Sequence, residues 1–106
     1  MTMQIHGVTG FDWDDGNVSK CQKHGVSLSE IETAFHGEMK VFPDLAHSQN
    51  ETRYIGLGKT EEGRNLFVCF TLRQREGEAY IRPVSARYMH RKEVEYYEKA
   101  ITRPQH

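Results

Sequence analysis

Five arginines, Arg53, Arg73, Arg82, Arg87 and Arg91, run through the second half of the chain, with Tyr80, Tyr88, Tyr96 and Tyr97 among them. Same-face side chains on adjacent antiparallel strands lie within about 5 Å of one another, so several of these arginines could converge on one face of a sheet. A guanidinium fork suits phosphate in a way that a lysine point charge does not, and tyrosine rings offer planes on which bases stack. The competing reading is a set of solvated arginines paired with Glu76, Glu78, Glu93 and Glu95. The histidines, His6, His24, His36, His47, His90 and His106, contain no i, i+4 pair, and with Cys21 and Cys69 they make no short ligand spacing. No metal or other cofactor is therefore expected.

His24 has a structural reason to be where it is. In Lys23-His24-Gly25 a cation complements the end of a helix and the glycine takes its left-handed cap. Cys21, close to Lys20, Lys23 and His24, could be an activated thiol. It lacks both an oxyanion hole and an orienting third group, so a cysteine hydrolase is disfavoured. Cys69, within Phe67-Val68-Cys69-Phe70, reads as core. Asp12, Asp14 and Asp15 suit a helix start, and Trp13 beside Phe11 suits a plug at one end of the core. Gly56-Leu57-Gly58 has no third glycine and no following helix, so it marks a bulge or a close approach and not a dinucleotide site.

The elements that must position these residues follow from periodicity. Residues 1–10 show none and read as a flexible or extended arm, with a single domain over 11–103. A short helix is expected near Asp15–His24, and a second, amphipathic one begins at the Ser27/Glu30 capping box and ends near Gly37. Strands follow at Met39–Phe42, Arg53–Gly58, Asn65–Leu72 and Ala79–Tyr88, where Pro83 forces a sheet edge or a bulge. His90–Ile101 closes the chain as a helix, and order ends at Pro104. The order ααββββα predicts an α+β fold, an antiparallel four-stranded sheet with helices packed on one face and the other partly open.

At 106 residues and 37% hydrophobic composition the chain should form one folded domain. It has no apolar run long enough for a membrane span and no signal-like start, so a soluble cytoplasmic protein is expected. The net charge of −1 argues against binding nucleic acid by bulk positive charge. The charge is uneven, with −4 over residues 1–72 and +3 over residues 73–106. A polyanion site should therefore draw on the C-terminal third.

Four blocks resemble the BrnT family of toxins in that family's order and spacing. They are Phe11-Asp12-Trp13-Asp14, Lys23-His24-Gly25-Val26-Ser27, Arg53-Tyr54-Ile55-Gly56-Leu57-Gly58, and Ile81 to Met89 with Arg91, Lys92 and Glu93. The resemblance covers about residues 11–98. It departs from the family pattern in the first helix, where Asn17 stands in place of a common lysine and Cys21 close to a common asparagine. It implies a RelE-like fold, an RNA-cleaving toxin of a bacterial type II toxin–antitoxin pair that stops translation, and a small ribbon-helix-helix-like, BrnA-like antitoxin that also binds DNA.

RNA is cut without a metal when the ribose 2′-OH attacks the neighbouring phosphate. That reaction needs a base, a proton donor for the leaving 5′ oxygen, and cations for the extra phosphate charge. Under the resemblance, Arg82 and Arg87 carry the transition-state charge and Arg53 or Arg73 holds a flanking phosphate. Lys23 or His24 is the general base or acid, and Tyr88 or His90 is a second proton carrier or stacking platform, with Arg91 on the RNA-binding side. The weak net attraction to RNA suggests presentation of the message by the ribosome. The alternative is a non-catalytic family member whose arginine face binds protein or nucleic acid.

Overall fold

The computed structural model describes residues 2–3 and 7–102. His6, Pro104, His106 and part of the arm expected over residues 1–10 lie outside the described residues. The elements are β1 (Thr2–Met3), β2 (Gly10–Phe11), α1 (Asp15–Gln22), α2 (Leu28–His36), β3 (Met39–Pro43), a 3₁₀ turn (Leu45–His47), β4 (Tyr54–Lys59), β5 (Asn65–Arg75), β6 (Glu78–Tyr88) and α3 (Arg91–Thr102).

The central order of helices and strands is the expected one, but the sheet is larger. Six strands run in the order β1-β3-β4-β5-β6-β2. The four long strands form the antiparallel meander, β1 adds antiparallel to β3, and β2 lies parallel to β6, so the sheet is mixed. Two-residue strands carry no periodicity of their own; the arm over residues 1–10, expected to be flexible or extended, supplies β1 and, together with Phe11, β2.

Both early helices are fixed by their caps. Asp14 accepts from the N–H groups of Gly16 at 3.0 Å and Asn17 at 3.2 Å, while the Asn17 side chain accepts from the Asp14 N–H at 2.7 Å. α1 ends two residues short of its expected limit, with Lys23 as its C-cap, so His24 lies beyond the helix. Ser27 and Glu30 form the expected reciprocal pair, at 3.0 and 2.9 Å. Between β5 and β6, Glu76 and Gly77 have φ of 52° and 80°. Two central residues with positive φ match the twist of a two-residue hairpin, and Arg75 pairs with Glu78 across it.

α1 and α2 cover one face. Phe35 meets Phe70 edge to face at 5.0 Å, with Cys21, Val26, Ile31, Leu66, Val68 and Ile81 buried around them. The other face, expected to be partly open, is covered over part of its length. α3 lies on it, and Tyr97 meets Phe42 at 5.9 Å and Phe67 at 6.2 Å. Only the end carrying Arg73, Arg75, Tyr80 and Arg82 stays free of helix. Cys69 shares this second face and is half-buried, so it is not part of the main core. Pro83 sits beside the register shift between β5 and β6, the bulge that its missing N–H predicts.

Gly56 explains the close packing of β4. A Cβ there would lie 2.5 Å from the Met39 Sδ and 3.2 Å from Phe70, both buried. Gly56→Ala should therefore lower stability by about 1–3 kcal/mol, an overpacking cost read as a lower denaturant midpoint. An unchanged midpoint would show that Met39 moves aside freely.

Candidate active site

The C-terminal end of β6 gathers segments that are far apart in sequence. Tyr88 lies on the face covered by α1 and α2, opposite buried Leu66. Its hydroxyl donates to Glu30 Oε1 at 2.7 Å, with the Gly25 carbonyl at 3.4 Å. The same carboxylate oxygen accepts from the Ser27 N–H, so the N-terminal turn of α2 holds the acceptor in place. Lys23 and His24, both exposed, immediately precede Gly25 in the chain. Arg64, from the turn before β5, places its guanidinium carbon 3.4 Å from the centre of the Tyr88 ring. That distance is well inside the range of cation–π attraction.

The electrostatics follow from these contacts. Glu30 is held below its ordinary value first by the Ser27 N–H, with burial opposing and the Tyr88 hydroxyl adding to the lowering. Tyr88 is pushed up, first because its proton is shared with Glu30 and then by burial. The corner thus holds an ionised carboxylate and a protonated phenol. A phenol in that state can accept a hydrogen bond on its oxygen while its own proton stays donated in the hydrogen bond to the carboxylate.

The five arginines singled out in the sequence do not join this corner, nor do they converge with one another. Arg82 and Tyr88 are six residues apart on β6, about 20 Å at strand spacing. Arg82 instead lies 3.0 Å from Asp14 and 3.5 Å from Asp12, and Arg75 reaches the other oxygen of Asp12 at 2.9 Å. Asp14 is held below its ordinary value and Arg82 above its own, in each case first by their mutual hydrogen bond. Arg87 points to the opposite face from Tyr88. There it makes two 2.7 Å bonds to Glu93 and lies over Phe67 at 4.3 Å. That contact is the leading cause that raises Arg87 and lowers Glu93.

Arg73 pairs with Glu51, and Arg91 with Glu95 on the exposed side of α3. Arg53 makes no ion pair among the described residues and lines a cleft with His47 and Glu51. His90 is exposed at the start of α3, where its carbonyl accepts from the Val94 N–H at 3.0 Å. Of the pairings with Glu76, Glu78, Glu93 and Glu95 that the competing reading expects, Arg87–Glu93 and Arg91–Glu95 are present, while Arg73 and Arg82 take other acids. Cys21 is fully buried, and burial pushes its thiol up to about 11, which opposes a thiolate nucleophile.

Two members of the corner escaped sequence reading. Glu30 was already accounted for by its capping box, and Arg64 sits in a turn behind Gly63, outside any strand pattern. A pairing between the start of a helix, a turn and the end of a strand leaves no periodic signal. Among the described residues, no three or more His, Cys, Asp or Glu are grouped so as to hold a metal ion.

A small mixed-sheet α+β protein thus carries one corner where a cation, a hydrogen-bonded phenol and a carboxylate meet. A family model described as the ribonuclease toxin BrnT of type II toxin–antitoxin systems matches residues 13–93. The chain belongs to that family, whose members act on RNA as toxins and are paired with a cognate antitoxin. No curated protein matches the chain. None of its helices, among the described residues, is long and apolar enough to cross a membrane.

Two stability predictions follow from the charges. Arg82→Ala leaves Asp12, whose side chain is 4% exposed, with Arg75 alone. It should cost about 3 kcal/mol, whereas Arg73→Ala, which breaks a half-exposed pair, should cost under about 1 kcal/mol; equal shifts in melting temperature would refute the contrast. The second concerns pH. In the folded chain Glu30 and Glu93 lie below their ordinary value of 4.5 and Asp14 below 3.8. Their contributions are complete above those ordinary values and are lost as pH falls through the lowered folded ones. The melting temperature should therefore drop on acidification below about pH 4.5, with a smaller drop in Glu93→Gln. An identical acid profile in that variant would show that Glu93 contributes nothing.

Proposed function

We propose that this chain is a metal-independent endoribonuclease that cuts RNA by attack of the 2′-OH on the adjacent phosphate and so arrests translation in the cytoplasm. The observation that supports it best is the Tyr88 hydroxyl held on Glu30 and within 3.4 Å of the carbonyl of Gly25, the residue after His24, in a chain of a ribonuclease-toxin family. The sheet with its helices is read as RelE-like. His24 or Lys23 protonates the leaving 5′ oxygen or takes the 2′ proton, and Tyr88 is the second proton carrier or stacking plane. Of the two arginines considered for a flanking phosphate, Arg53 is the one without an ion pair among the described residues, since Arg73 is engaged by Glu51.

Arg82 and Arg87 fit a transition-state role less well. Both are held by carboxylates, and Arg87 faces away from Tyr88. His90 and Arg91 lie on the far side with α3 and suit an outlying RNA contact. The partner is a ribbon-helix-helix-like, BrnA-like antitoxin, and the ribosome presents the message. A second reading, a binding module without catalysis, draws support from the carboxylates that engage Arg82 and Arg87, the two arginines assigned to transition-state charge.

The experiment incubates the chain, freed of partner, with a long RNA in excess EDTA and reads fragments and their ends. Fragments with 2′,3′-cyclic phosphate ends are expected. His24→Ala combined with Lys23→Ala should lower the rate about 100-fold or more, the usual contribution of a proton-transfer group. Arg82→Ala and Arg87→Ala should affect folding more than cleavage. Intact RNA that is nonetheless retained would favour the binding module.

A further inference from the structure

We infer that Arg64 is the phosphate-binding residue of this corner, gripping one phosphate of a single-stranded RNA while its guanidinium rests on the Tyr88 ring. The inference builds on the reading of the corner as an RNA site and adds the cation that Arg82 and Arg87 do not bring there.

The first support is availability. Arg73, Arg75, Arg82, Arg87 and Arg91 each have a carboxylate, whereas Arg64 makes no ion pair among the described residues. The second is geometry. At 3.4 Å from the ring centre, the guanidinium uses its face against Tyr88, and its N–H donors lie around the rim of its plane. No side-chain hydrogen bond of Arg64 occupies them among the described residues. Stacking fixes where the fork sits without consuming the donors that a phosphate needs.

The third support is rigidity at both ends. The Arg64 backbone closes a tight turn in which the Thr60 N–H bonds its carbonyl at 2.9 Å and its own N–H bonds the Thr60 Oγ1 at 3.0 Å, with Thr60 buried. The ring beneath it is held by the 2.7 Å bond from the Tyr88 hydroxyl to Glu30. Glu30 and Tyr88 are thus positioning residues for the cation.

Charge sets the kind of contact. Glu30 faces Arg64 from α2 and Glu62 acts on Tyr88 from the same turn, so the corner has no strong positive field. Attraction at long range is weak, and recognition has to come from a short, directed bond to phosphate. A fork meets that need better than a point charge.

The test measures binding of a fluorescent single-stranded 2′-O-methyl RNA to the purified chain over a series of salt concentrations. This probe has no free 2′-OH and cannot be cut by that route, so binding is read apart from catalysis. Removing one phosphate contact on a single strand should flatten the slope of log K against log salt by about 0.7. Arg64→Ala and Arg64→Gln should both do this and weaken binding about tenfold or more. Arg64→Lys should keep the slope and recover only part of the affinity. Lys99→Ala, which removes the same charge from α3, should leave the slope unchanged. Thermal melts of each variant separate loss of fold from loss of contact.

A wild-type slope in Arg64→Ala, an equal flattening in Lys99→Ala, or no binding of the probe by the wild-type chain overturns the inference. An Arg64-dependent slope in a chain that leaves natural RNA intact supports the inference and overturns the nuclease reading alone.

Discussion

One buried side chain, Asn17, joins the helical layer to the sheet. Its amide nitrogen donates to the carbonyls of Asp12 and Pro83, both at 2.9 Å, and its oxygen accepts from the Asp14 N–H at 2.7 Å. β2 ends at Phe11 opposite Ile81, so the carbonyl of Pro83 two residues further on has no strand to bond. Left alone, a buried carbonyl of this kind costs about 1–3 kcal/mol. Asn17 fills that place and thereby sets the angle at which α1 leaves the sheet edge. A lysine at this position could not serve both carbonyls and the Asp14 N–H, because it has no acceptor.

The charge pattern on the far face depends on that clasp. With Asp14 committed as N-cap and Asp12 pinned at the edge of β6, two carboxylates stand where Arg75 and Arg82 project. Asp12 Oδ2 has no hydrogen-bond partner, and its charge is answered by Arg82 at ion-pair distance. The arginine-rich end of the sheet is thus a compensated network that stabilises the junction of β2, α1 and β6. Its compensation removes most of the free positive charge that the composition of the last third suggests.

The sequence made the capped second helix, the long meander, the bulge at Pro83 and the tight packing at Gly56 legible, because each depends on local chemistry or on a period. The two edge strands were not legible, since two residues cannot show alternation. The placement of α3 on the second face was missed for a different reason. Amphipathicity shows that Val94 and Tyr97 need a partner, and it does not say which of two apolar faces supplies one. Of the candidate site, Tyr88 is legible in the sequence, and its hydroxyl reaches the carbonyl of Gly25, the residue that follows Lys23 and His24. The resemblance groups Arg82 and Arg87 with them as cations for the phosphate charge. Strand parity puts Arg87 on the other side, and strand length puts Arg82 at the other end.

Glu30 shows why a site of this kind hides in a sequence. The carboxylate is required by the helix it begins, since it bonds the Ser27 N–H, and that duty would explain its presence completely. The same oxygen then holds the Tyr88 hydroxyl, and the Tyr88 ring carries Arg64. Position passes from a helix cap to a phenol to a guanidinium, and each step uses a group that the previous step has already immobilised. A cation carried on a loop loses rotamer freedom when it binds, at a cost of up to about 2 kcal/mol for an arginine side chain. Here folding settles that cost beforehand, which is how a chain with a net charge of −1 can present a directed cation without a basic surface.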